Sequence, residues 1–368
     1  MIKSLTGIRF WLFLSILINH VYTNIIVNSE IGRSGYSLFF GPFAVLFFFV
    51  LSGFCIAINN LDRFANISFE TVKTFMFKKI IKFYPLYFLT GLIILVFHFI
   101  PLNLKWISAF VFLYIPMLQP YTQWHNGGGN ATAWFLAALM LCYLVTPFVL
   151  YYIYNHLKTF KRKITTYFAL YIILIVFSLI LLKLNLSDKW FDYLYYFPPI
   201  RVFHYLAGLL LGTIYSQHLK IYIEKGVNFL KKSFIDIFAL VLFLIALVLD
   251  IKSGGVPHVH GKSFPVEQMI GIPTISVVIL YLCNYSKSIV TYILENKVVM
   301  FLGSISFECW LINYIFIVFL KQRLIPYCNN YIDVVLITVF LLVLTIISAL
   351  FYKYVINKVI QQIINKGE

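Results

Sequence analysis

The sequence predicts an all-α polytopic membrane protein, a transmembrane bundle of about ten spanning helices with both termini cytoplasmic. Three observations carry this. The 368 residues are 61% hydrophobic and only 11% charged, whereas a soluble domain is roughly 25% charged. Apolar runs about 20 residues long, enough to cross a bilayer, recur from end to end. The Lys and Arg residues gather in alternate loops between those runs.

The first run, 5–27, is longer than the apolar core of a signal peptide and carries Arg9 inside it, so it reads as a retained helix. Further spans fall at 37–58, 80–100, 131–153, 164–184, 196–216, 234–251, 265–285, 298–320 and 332–352. The stretch 104–119, bracketed by Pro101, Pro116 and Pro120, reads as a short re-entrant or interfacial helix. With the N-terminus inside, 19 of the 29 Lys and Arg residues are cytoplasmic, 8 are outside, and Arg9 and Arg201 lie at or within the membrane. This positive-inside bias accounts for the net charge of +16. No basic stripe with interleaved aromatics points to nucleic acid as a partner. No connection is long enough for a separate soluble domain, so residues 1–368 read as one transmembrane domain. The five cysteines have no paired spacing, which suggests neither a disulfide framework nor a metal site. His258 and His260 lack a third ligand in their loop and do not change that.

A charge inside a bilayer is costly, so intramembrane ionisable residues are the first functional candidates. Arg9 and His20 are eleven residues apart on the first run. In a helix this is roughly 16 Å and about 1100°, close to three full turns, so both project from one face. Arg9 suits an anion at the cytoplasmic mouth, and His20 suits proton transfer deeper in. The bland alternative is a snorkelling arginine and a histidine bonded to a neighbouring helix. Lys78, Lys79 and Lys82 form a basic collar that fits either a phosphate-bearing ligand or anionic headgroups. Ser52-Gly53 suits close helix approach, Tyr84 and Tyr87 suit an interfacial belt, and Trp134 suits packing or stacking. Arg201 follows Pro198-Pro199 and either snorkels outward or faces a cavity. Glu308, near Ser304, Ser306 and Asn313, needs a partner, with Arg9, Arg201 or His20 as the intramembrane choices.

The R-x10-H spacing of Arg9 and His20 resembles the integral-membrane acyltransferase family 3. Five further segments follow in the expected order: VLFFFVLSGFCIA at 45–57, FKKIIKFYPLYF at 77–88, AWFLAALMLCYLVTP at 133–147, RVFHYLAGLLLG at 201–212 and LGSISFECWLINY at 302–314. Three departures stand out, one being that arginines common in the basic stretch appear here as Lys79 and Lys82. The WFL helix lacks the glutamate of many members, and Asn313 stands where the late motif often has histidine.

The resemblance implies an acyl-CoA-dependent O-acyltransferase, most simply an O-acetyltransferase. Acetyl-CoA would be a co-substrate, with no permanently bound cofactor and no metal. The acceptor would be a hydroxyl of a glycan or glycolipid, such as a surface polysaccharide of the O-antigen or capsule type. The setting it implies is a bacterial inner membrane, with lipids as the surrounding partner. His20 would be general base or acyl carrier, and Arg9, the second catalytic candidate, would meet the donor's phosphates or steady the charge on the carbonyl oxygen. Lys79, Lys82, Ser52 and Tyr84 would meet the donor. Arg201, Trp134, Asn313 and Glu308 would meet the acceptor. The competing reading is a glycolipid or polysaccharide transporter or assembly protein without acyl chemistry. That reading explains helices and charges but does not predict the six motifs.

Overall fold

In the computed structural model the apolar runs are helices, since a bilayer offers backbone groups no hydrogen-bond partners but their own. The structure describes residues 2–29, 41–98, 104–184, 186–220, 263–284 and 288–366. In chain order the helices are α1 (Lys3–Asn24), α2 (Gly41–Asn60), α3 (Phe69–His98), α4 (Leu104–Ala109), α5 (Trp134–His156), α6 (Phe160–Leu184), α7 (Asp188–Tyr196) and α8 (Pro198–Ile214). Then come α9 (Ser263–Asn284), α10 (Ile289–Leu294), α11 (Lys297–Ser304), α12 (Ser306–Leu324), α13 (Tyr331–Phe351) and α14 (Asn357–Lys366). The described residues contain no strand, so the fold is all-α and polytopic.

Among the described residues, 7 helices are long and apolar enough to cross a membrane. They correspond to the expected spans beginning near residues 5, 37, 80, 131, 164, 298 and 332. The expected span 234–251 lies outside the described residues, as do His258 and His260. Three boundaries differ from expectation. Helix α3 begins at Phe69, so the basic collar is itself helical. The expected span 196–216 becomes the 17-residue α8 followed by a π turn at Tyr215–Leu219.

The third difference is a break in the expected span 298–320. At Ile305 the backbone leaves helical values (φ −110°, ψ 6°), dividing the run into α11 and α12. Small polar residues make the break tolerable. Ser306 Oγ donates to Gly303 O at 2.9 Å and Ser304 Oγ donates to Phe301 O at 2.7 Å. Hydroxyls of this kind satisfy carbonyls that an interrupted helix would leave bare.

Helix α1 packs against α2, α11 and α12, which places its length inside the bundle. Helix α2 lies along α8 with almost no space between backbones. A Cβ built on Gly53 would sit 2.1 Å from Tyr205 O, and one on Gly208 would sit 2.0 Å from Val50 O. Small residues permit this approach, which supplies the dispersion contact that holds membrane helices together. Gly208→Ala should therefore force the two helices apart and cost about 1–3 kcal/mol. A lowered melting temperature in detergent, with α2 and α8 still helical, checks this.

Candidate active site

Helix α1 carries a polar stripe near its C-terminal end. Asn19, His20, Thr23 and Asn24 fall within two turns and face one cavity of about 750 Å³. Its remaining walls are largely aromatic: Trp134 from α5, Tyr195 and Tyr196 from α7, Trp310 and Tyr314 from α12, and His125 from the loop before α5. Asp192, Lys321 and Gln322 add charge and amide groups. Burial holds His125 down to about 4, so it is neutral at pH 7 and stacks on Tyr196 with ring centroids 4.1 Å apart.

His20 Nδ1 lies 3.0 Å from Asn313 Oδ1. The amide is oriented by its other end, where Asn313 Nδ2 donates to Cys309 O at 3.1 Å and Trp310 O at 2.5 Å. Carbonyls only accept, so the NH₂ group must face them and the amide oxygen must face His20. Nδ1 is then the donor. In neutral imidazole this leaves the lone pair on Nε2, the atom a base or nucleophile would use. The Tyr314 ring packs edge-on to His20 at 6.0 Å.

A second cavity, about 770 Å³, opens around the N-terminal half of α1. Arg9 lines it, with its guanidinium 3.5 Å from Cys55 Sγ. Lys78, Lys79 and Lys82 of α3 and Lys353 after α13 bring the cationic groups in its wall to five. Lys79 Nζ lies 4.7 Å from the Tyr143 ring centroid, and Lys82 Nζ lies 5.0 Å from that of Phe83. Aromatic faces thus position the ammonium groups without neutralising them. Cationic groups around a cleft focus a positive potential that attracts polyanions.

The structure distributes the sequence candidates between these cavities. Arg9, Ser52, Lys79, Lys82 and Glu308 line the basic cavity, while His20 and Trp134 line the aromatic one. Asn313 is buried behind His20. Arg9 and His20 therefore share a helix but open into different cavities. Tyr84 lies outside both linings, its hydroxyl donating to Ile115 O at 3.0 Å.

Glu308 is on the side of Lys82 and Lys353 rather than beside His20, and it makes no ion pair among the described residues. The break at Ile305 fixes this: it starts α12 afresh, with Glu308 in the first turn and Asn313 more than a turn further on. Arg201 is buried behind the aromatic cavity. Its Nε donates to Tyr195 O at 2.8 Å, and its guanidinium carbon lies 4.3 Å from the Tyr195 ring centroid and 5.4 Å from that of Trp134. It thus holds two cavity walls in place.

Sequence reasoning missed Asp192, Tyr195 and Tyr196, which lie in the run DYLYYFPP at 192–199. A carboxylate and clustered tyrosines before a Pro-Pro helix start were the signal there. It also missed Asn19 and Asn24, although Asn24 is four residues beyond His20 and so on its face.

Fold and site define a helical membrane protein with a basic cavity and an aromatic, histidine-bearing cavity at opposite ends of one helix. A family model described as "Acyltransferase domain" matches residues 2–354, nearly the whole chain. The protein belongs to this family, the integral-membrane acyltransferase family 3, and is a membrane acyltransferase. No curated protein and no solved structure gives a match.

Proposed function

We propose that this acyltransferase is an O-acetyltransferase that moves an acetyl group from cytoplasmic acetyl-CoA to a hydroxyl of a surface polysaccharide or its lipid-linked precursor. The observation that carries the reading is the pair of cavities. The basic one suits the phosphates of coenzyme A, with Arg9, Lys79 and Lys82 as their partners. The other has the composition of a sugar site, with aromatic faces for the ring and Asn, Asp and Tyr groups for its hydroxyls. The setting proposed is a bacterial inner membrane, with the basic cavity toward the cytoplasm and the aromatic one toward the outside.

The chemistry follows from Nε2 of His20. It takes the proton of the acceptor hydroxyl as the oxygen attacks the thioester carbonyl. The new C–O bond forms, the C–S bond breaks, and the coenzyme A thiolate leaves and takes up a proton. If His20 is instead the acyl carrier, Nε2 attacks the thioester carbonyl and expels the coenzyme A thiolate; the sugar hydroxyl then attacks the acyl-imidazole, the N–C bond breaks, and the hydroxyl proton ends on the thiolate. Both routes need Nδ1 held as donor, which is Asn313's part.

Mass spectrometry of the surface glycan tests this. Cells with the chain should carry the acetyl mass increment, and cells without it should lack it. Unchanged glycan mass with altered amount or location at the surface would favour transport or assembly instead. Arg9→Ala should raise the apparent KM for acetyl-CoA about tenfold, the loss expected for a charge-assisted phosphate contact. Titration of acetyl-CoA on inverted membrane vesicles measures it.

A further inference from the structure

The two cavities share one lining residue, Trp310. Its indole is 4% exposed and forms part of an aromatic partition. Phe135 stacks on it at a centroid distance of 4.4 Å and an interplanar angle of 23°, and Phe48 meets it edge-on at 5.3 Å. Phe48 and Phe135 both line the basic cavity. On the other side, Trp310 Nε1 donates to Thr132 O at 3.3 Å, and Thr132 lines the aromatic cavity. The ring is therefore fixed by stacking on one side and by a hydrogen bond on the other. Arg9 lies in one cavity and His20 in the other, and Trp310 is the residue that the two linings have in common.

We propose that Trp310 is the residue that determines which acyl groups can be transferred: its indole closes the passage between the cavities and leaves room for a short acyl group only. The inference rests on the acyl-CoA reading above, since it supposes that a thioester arm enters from the basic side. Its physical content is steric. An acetyl group presents one methyl to the partition. Each further methylene must displace an aromatic ring already packed on two sides, and close-packed groups resist such displacement. The same partition keeps the water of one cavity from the other, which protects a thioester awaiting its acceptor.

Two measurements on the full chain in native membranes test it. The first supplies acetyl-, butyryl- and hexanoyl-CoA to inverted vesicles of glycan-producing cells and reads the acylated glycan by mass spectrometry. The wild type should strongly prefer acetyl. Trp310→Ala should reduce the preference for acetyl over butyryl by about tenfold or more, the size of a methylene's worth of fit in an apolar pocket. An unchanged chain-length profile overturns the proposal. Absence of transfer from every donor by the wild type would instead overturn the acyl-CoA reading.

The second needs no catalysis. Cys55 lines the basic cavity and is half-buried. A membrane-impermeant methanethiosulfonate should label it from one membrane face only in the wild type, with Cys55→Ser giving the background. Trp310→Ala should open labelling from both faces. Labelling from both faces in the wild type, or from one face in the variant, overturns the partition. Should the alanine variant lose its fold, Trp310→Leu carries the same comparison with less lost volume.

Discussion

His20→Ala should lower acyl transfer by about 10²–10⁴-fold, the usual worth of a positioned general base, while leaving the amount of folded protein unchanged. His20 faces a cavity rather than the packed interior, so truncation enlarges an existing space and does not create a void in the core. Its side-chain hydrogen-bond partner among the described residues, Asn313, keeps its bonds to Cys309 and Trp310 when the imidazole is gone. His20→Gln should be equally inactive, since a glutamine amide has polarity but no basic nitrogen. The comparison is glycan mass in cells carrying wild type, His20→Ala or His20→Gln at matched membrane protein level. Full acetylation by His20→Ala would remove this histidine from the chemistry and leave it as a polar contact between α1 and α12.

The helical class and most spans were legible because hydropathy over about 20 residues is a strong, local signal. The break at Ile305 was not. The run through 298–320 is apolar enough to read as one span, and the break sits where α1 comes so close that a Cβ on Gly303 would lie 2.0 Å from Thr6 O. That is a tertiary fact. It matters for the site, because it decides that Glu308 faces the lysines and Asn313 faces His20. Arg9 and His20 were legible from cost alone, as charges in an apolar run. What their spacing could not reveal is that the two residues open into different cavities. The aromatic cavity's walls come from α1, α2, α5, α7, α12 and the loop before α5, none of which signals the others. Tyr195 and Tyr196 become site residues only because the bundle brings their rings against Trp134.

Asn313 makes the sharpest test of the mechanism, because it never meets the reacting atoms in this geometry. It stands where the family's late motif often has histidine, and it faces His20 with its amide oxygen. The amide has fixed ends, with its NH₂ committed to two carbonyls of its own helix. Its oxygen therefore selects one tautomer of His20 and one ring orientation. Asn313→Leu removes that acceptor, lets the proton sit on either nitrogen, and leaves a buried Nδ1–H unpartnered when the productive tautomer forms. The expected result is a fall in kcat of about 10–100-fold, the usual cost of losing a group that orients a functional histidine, with KM for acetyl-CoA unchanged. Asn313→Asp keeps an oxygen facing Nδ1 and should recover most of the rate, although it gives up the amide's bonds to Cys309 and Trp310. A structural role alone predicts otherwise, since the aspartate, by burying a carboxylate against two carbonyls, should then be the more damaging change. Rates and KM values for the two variants on inverted vesicles decide between a residue that packs α12 and one that sets the proton on His20.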